Sequence, residues 1–227
     1  MVKSKNSKEK LSKRASKKKM RPKEIIDSGL KIFSRDGFSG ARLEDVAKHA
    51  KISKGTIYLY FENKEELFRA CVRETVAKPI EESLQLEKEF EGATEELIRA
   101  MGENFATIIS RESYRTIMFL LISESQRFPE LAKFYFEEVI APALEVLKNL
   151  LFRGVQRGEL KETVLNNQPM LLMSPVIYSL VWNKLFGSEE QIDLRSVSMD
   201  HLNIILEGLR VDGSNDPSKT IRSYEKK

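Results

Sequence analysis

Leu43, Val46, Ala47 and Ala50 recur at i, i+3, i+4 and i+7, which lays one apolar stripe along a two-turn helix. The stripe breaks at Lys51-Ile52, and Ser53 follows where its hydroxyl can cap a new helix. Ile57 and Tyr60 then fall where they can pack back on the first stripe. Two short helices crossing this closely need a small residue at the crossing, which Ala47 supplies. They also need apolar side chains on both sides of the turn, which Val46, Ala50, Ile52 and Ile57 supply. The pattern predicts a helix-turn-helix.

Helical spacing continues on both sides. Ile25, Ile26, Gly29, Leu30 and Phe33 predict a preceding helix with Pro22 near its first turn and Asp36-Gly37 at its end. An Asn63-x-x-Glu66 capping box opens a following helix, which carries Leu67, Phe68, Cys71, Val72 and Val76 on one side. Pro79 is expected to kink or break that helix. Further helices are expected over 93–111, 113–126, 129–153, 168–186 and 197–210. Segment 168–186 is apolar nearly all round and is expected to be buried on several sides. Neither a strand pattern nor an internal repeat is present in the sequence, so the fold expected is all-α.

Charge divides the 227 residues unevenly. In residues 1–23 eleven Lys and Arg oppose only Glu9, a net +10, although the whole chain carries only +4. The body is therefore acidic and the leading segment basic, which suggests a polyanionic partner. Residues 1–20 are expected to form a disordered arm, either a passive solubilising tail or a grip on phosphates. One cysteine, Cys71, allows no internal disulfide and no Cys-rich zinc pattern. The opening segment lacks an apolar signal core, and the most apolar stretch, 170–182, is too short to span a bilayer. A cytoplasmic protein with no membrane partner is the expectation.

Residues 25–67 closely resemble the DNA-binding domain of the tetracycline-repressor (TetR) family. The resemblance rests on Phe33 with Gly37, Asp45-Val46-Ala47, Ser53-Lys54-Gly55-Thr56, Tyr58, Phe61, and Lys64-Glu65 with Leu67. Two positions depart from the family pattern: Lys51 stands where Gly is usual, and Arg42 where Thr or Ser is usual. Phe128-Pro129-Glu130-Leu131 and Arg157-Gly158-Glu159-Leu160 resemble, less specifically, the C-terminal domains of one branch of the family. The resemblance implies a three-helix helix-turn-helix domain over 21–67, a larger helical effector-binding and dimerisation domain over 68–211, and a polar tail over 212–227.

It also implies double-stranded DNA as partner. Lys54, Gly55, Thr56 and Tyr58 would enter the major groove, with Ser53 at the start of the recognition helix and a phosphate near its amides. Tyr60 and Lys64 match phosphate-contacting positions, the Lys51 charge would face phosphate, and Arg42 gains a phosphate or base contact. Tyr58 and Tyr60 can alternatively serve packing, and Phe61 belongs to the core. The last two helices would form a homodimer interface through Met173, Ile177, Leu180, Val181, Leu202, Ile205, Leu206 and Leu209. That would set two recognition helices about 34–36 Å apart over an inverted repeat. Phe105, Ile109, Met118, Phe119, Ile122, Tyr135, Tyr178 and Trp182 either line a pocket for an apolar or aromatic effector or are ordinary core.

Catalysis finds no support. His49 and His201 are the only histidines, and no nucleophile, base and orienting group come together. Glu81-Glu82, Glu95-Glu96 and Glu137-Glu138 are better explained as solvated helix faces than as metal ligands. Neither metal nor cofactor is expected, and Cys71 is expected to be a buried thiol rather than a redox sensor. The reading is a ligand-released repressor; the alternative is a nonspecific DNA binder dominated by the basic arm.

Overall fold

A computed structural model describes the backbone of residues 3–211 and the side chains of residues 22–211. The expected tail over 212–227 lies outside the described residues. Eleven α-helices account for most of the rest: α1 (Lys3–Gly40), α2 (Leu43–His49), α3 (Lys54–Ile57), α4 (Lys64–Val72), α5 (Lys78–Glu89), α6 (Thr94–Ile109), α7 (Glu112–Glu124), α8 (Pro129–Tyr135), α9 (Ala141–Gln156), α10 (Ser174–Phe186) and α11 (Leu194–Leu209). Among the described residues the β-structure is one isolated bridge, Leu160 to Arg210.

Residues 3–20 were expected to lack regular structure; their backbone instead continues α1 toward the N-terminus, and Pro22 lies inside the helix rather than in its first turn. Lys, which supplies eight of these eighteen residues, is a good helix former without any burial. At the other end Gly37 interrupts α1 as expected, at φ 69° and ψ 176°, a backbone conformation that only glycine adopts cheaply.

Among the described residues the chain forms two compact units, 3–79 with 111–139, and 80–110 with 140–211. This differs from a division at 67/68, because α7 and α8 group with the helix-turn-helix. In the first unit Phe33, Phe38 and Phe68 form an aromatic triangle with centroids 5.7–5.9 Å apart, and Phe128 adds a fourth ring 4.9 Å from Phe38. Glu124 accepts hydrogen bonds from Ser39 N and Ser39 Oγ, at 3.3 and 3.2 Å, while Arg127 Nη1 donates to the same hydroxyl at 3.0 Å. The end of α7 thus holds the turn beyond Gly37. Gly29 lets α1 approach α4: a Cβ there would lie 2.9 Å from the Leu67 side chain, which is fully buried. Cys71 is buried as expected, and burial pushes its thiol pKa up.

Pro79 does not break the chain. A π-helical turn, Arg73–Ala77, precedes it and contains Thr75, the residue whose carbonyl the proline ring opposes. The wider i→i+5 register absorbs that conflict, and α5 continues beyond it. Pro142 repeats the arrangement: a π-helical turn, Phe136–Ile140, contains its opposing residue, Glu138, and α9 follows.

In the second unit Leu97, Ile98, Val146, Leu150, Leu151, Leu160, Val164 and Leu206 form the core. Glu95 joins its two ends. It accepts from Arg99 Nε at 2.9 Å and from Arg210 Nε at 2.7 Å, with Arg210 Nη2 on its other oxygen. Segment 168–186 divides into a 3₁₀ turn, Pro169–Met173, and α10. Contrary to the expectation of burial on several sides, only Val176, Ser179 and Leu180 of α10 are buried. Ile177, Tyr178, Val181, Leu185 and Phe186 are exposed, as is Ile204 on α11.

Candidate nucleic-acid interface

The helix-turn-helix is built from the inside outward. Leu43, Val46 and Ala47 of α2 and Ile57 of α3 are buried, with Phe61 beyond them, while Tyr60 and Ala50 are half-buried. Ile52 N donates to Ala47 O at 2.9 Å, which closes the turn, and Lys51 takes φ 54° there. The family's usual glycine at this position would adopt that angle without strain, whereas a lysine costs about 1 kcal/mol. Ser53 caps α3 as its position predicts: its Oγ accepts from Thr56 N at 3.2 Å and lies 2.8 Å from Thr56 Oγ1. This capping engages both the Thr56 amide and its hydroxyl. Asn63 Oδ1 accepts from Glu66 N at 2.8 Å, and Glu66 Oε2 accepts from Glu62 N, one residue further back than a capping box requires.

Arg42 stands at the N-cap of α2 without any side-chain cap. A Thr or Ser there would accept a hydrogen bond from the helix amides. Arg42 and Lys51 are exposed, as are Ser53, Lys54, Gly55 and Tyr58. Gly55 has open space around it: a Cβ would meet nothing within 4 Å. Its smallness is therefore not required by the fold of this chain. Leu59, which the sequence did not single out, is 83% exposed.

Lys64 is held against the end of α1. Its Nζ donates to Phe38 O at 2.8 Å and Ser39 O at 3.1 Å, and sits 4.8 Å from the Phe38 ring centroid. The ammonium closes the last turn of α1 and is half-buried. Lys64 therefore anchors the domain internally, a role that the expectation of a phosphate contact did not include.

Glu44 is the other residue that sequence reasoning missed. It sits in the first turn of α2, and its Oε1 receives Lys54 Nζ at 2.7 Å and Tyr58 Oη at 3.1 Å. The Lys54 ammonium first, then its own backbone amide and the Tyr58 hydroxyl, lower the Glu44 carboxyl pKa to about 2. Reciprocally, Glu44 raises that of Lys54. The only sequence signal was an acid two residues after an exposed arginine, which reads as ordinary helix-dipole chemistry.

The effector candidates are distributed through both units. Met118, Phe119, Ile122 and Tyr135 belong to the first, and Phe105, Ile109, Tyr178 and Trp182 to the second. Ile109, Met118 and Tyr135 are buried, while Ile122 and Tyr178 are more than half exposed and cannot be core. Of the dimer candidates, Ile177 and Val181 are exposed, and Met173, Leu202, Ile205 and Leu209 are half-buried. Leu180 and Leu206, expected at the dimer interface, are instead buried within the chain. Among the described residues no group of three or more His, Cys, Asp or Glu is placed to hold a metal ion, and no helix is long and apolar enough to cross a membrane.

Comparison with known proteins agrees with this geometry. Residues 25–71 match the family described as bacterial regulatory proteins, tetR family, and residues 96–199 match the AefR-like transcriptional repressor, C-terminal domain. The fatty acid metabolism regulator protein of Bacillus subtilis (strain 168) is 26% identical over 199 residues, covering 85% of this chain and 98% of its own. Among solved structures, SmeT, the repressor of the Stenotrophomonas maltophilia multidrug efflux pump SmeDEF, superimposes as its triclosan complex with a TM-score of 0.67 at 22% identity, over 85% of this chain and 92% of that one. FadR from Bacillus subtilis in complex with stearoyl-CoA does so with a TM-score of 0.59 at 23% identity, over 82% and 97%. A capped helix-turn-helix with exposed cations, a second helical unit, and matches covering both parts lead to one assignment: this chain belongs to the TetR family of bacterial transcriptional regulators.

Proposed function

We propose that the protein is a homodimeric repressor that reads an inverted repeat through α3 and is released by a small apolar or aromatic ligand. The observation that carries DNA reading is the empty space around Gly55, between exposed Lys54 and half-buried Thr56, which leaves room for a backbone approaching from outside. Arg42, Lys51, Ser53, Lys54 and Tyr58 supply the polar and cationic contacts, and Tyr60 adds a phosphate contact. Thr56 contributes after exchange of its Ser53 hydrogen bond. Pairing of two copies is supported by exposed Ile177, Tyr178, Val181 and Leu185 on α10 and Ile204 on α11, an apolar surface that a lone soluble chain has no reason to keep. An apolar ligand group is supported by the structures this protein resembles, SmeT in complex with triclosan and Bacillus subtilis FadR in complex with stearoyl-CoA, whose acyl chain is apolar.

Selection from sheared DNA by the full-length protein, repeated with residues 1–20 deleted, tests the reading. A palindromic site shared by both pools is the expected result. A pool without a common sequence that vanishes on deletion would replace it with a nonspecific binder acting through the basic arm.

A further inference from the structure

Glu44 is an acid placed among the groups that should face a polyanion. Its carboxylate is bound to Lys54 and Tyr58, two of the side chains proposed to enter the groove. The Lys54 Nζ also lies 5.9 Å from the Tyr58 ring centroid, so the three side chains form one cluster. In the free protein Glu44 occupies the donors that DNA would otherwise occupy.

A DNA contact that draws Lys54 away from Glu44 therefore exchanges one anion for another. Against a phosphate the exchange gains little, and it leaves the displaced carboxylate close to the negative backbone. Against one kind of base edge the balance reverses: the amino group of cytosine is a donor in the major groove, and a carboxylate accepts from it. We infer that Glu44 is a specificity-determining residue, which holds down binding to DNA in general and is accommodated where a cytosine amino group meets it. This rests on the proposed DNA-reading function.

Glu44→Gln tests the inference, because glutamine keeps an acceptor oxygen and removes the charge. Full-length wild type and variant are titrated with a duplex selected from a randomised library and with a random duplex of equal length, across a salt series. The expected result is tighter binding of the random duplex by about threefold or more. The salt slope should steepen by about 0.9 for each freed lysine, and the selected duplex should change less, so that the specificity ratio falls. Glu62→Gln, which removes the same charge from an exposed position outside the cluster, should produce a smaller change. An unchanged ratio, an unchanged random-duplex affinity, or an equal effect from Glu62→Gln would each overturn the inference while leaving DNA reading intact. Failure of the wild type to bind either duplex would overturn both.

Discussion

Arg73 and Glu138 form a two-pronged ion pair, with Nε to Oε2 at 3.1 Å and Nη2 to Oε1 at 3.2 Å, and each lies in a π-helical turn that precedes a proline. The pair joins two points 65 residues apart where the helical register has been widened. It is more than a third exposed on both sides, so solvent screens it and its contribution is about 0.2–1 kcal/mol. The Arg73 guanidinium also sits 5.2 Å from the Phe134 ring centroid, a contact that Glu138 does not share. Arg73→Ala should therefore cost more than Glu138→Ala. A double-mutant cycle in urea denaturation measures the coupling, and equal single-mutant losses would remove the aromatic contribution.

Lys54 and Lys64 are ten residues apart and should behave as opposites. Lys64→Met removes two charge-assisted hydrogen bonds, to Phe38 O and Ser39 O, and should destabilise the fold by roughly 1–3 kcal/mol while leaving the salt slope of DNA binding in place. Lys54→Ala breaks only an exposed pair and should move stability by less than about 0.5 kcal/mol, while lowering the slope on the selected duplex by about 0.9 per subunit. Parallel denaturation and binding titrations separate the two roles.

Gly55→Ala should raise or preserve stability, because the added methyl meets nothing within 4 Å and alanine favours a helix by about 1 kcal/mol over glycine. Affinity for a selected duplex should nevertheless fall. A variant that gains thermal stability and retains full DNA affinity would show that the space at Gly55 serves no DNA backbone.

Much of this was legible in the sequence for definite reasons. Val46, Ala47 and Ile57 announce their burial by spacing, Ser53 and Asn63 announce their caps by residue type, and Gly37 announces the end of α1 by its conformational freedom. The misses share another cause. Lys64 turned inward because two carbonyls at the end of α1 needed a donor, and Glu44 reached Lys54 across the turn. Neither contact is visible to a periodicity, because each depends on where a neighbouring element ends. Likewise Pro79 predicted a disruption, but not that a π-helical turn would accommodate it.

Of the two departures from the family pattern, Lys51 carries positive-φ strain and Arg42 leaves α2 without a side-chain cap, and both costs are measurable. Lys51→Gly removes the positive-φ penalty but adds glycine's unfolded-state entropy, so the net gain should be up to about 1 kcal/mol. Arg42→Thr supplies the missing cap of α2 and should add about 0.5–1 kcal/mol. Each variant also removes one exposed cation. If both cations serve phosphate contact, each stabilised variant should bind DNA more weakly and with a shallower salt dependence. Gains in thermal midpoint without any loss of affinity would assign both residues to drift rather than to contact.

The Glu95 cluster sets an acid limit on the second unit. Arg210 foremost, and then Arg99, lower the Glu95 carboxyl pKa against an opposing effect of burial. Because the folded-state value lies below the unfolded one, about 4.3 for a free glutamate, the cluster's stabilisation is fully present above that pH. It is lost as pH falls through the lowered folded-state value. Arg210→Gln keeps a hydrogen-bonding side chain and removes the charge that causes most of the lowering. The stability difference between wild type and Arg210→Gln, followed by urea denaturation, should therefore hold steady from pH 7 to about 5 and narrow below about 4. A difference that persists undiminished at low pH would show that Arg210 acts through the packing of its side chain, and not through the Glu95 charge.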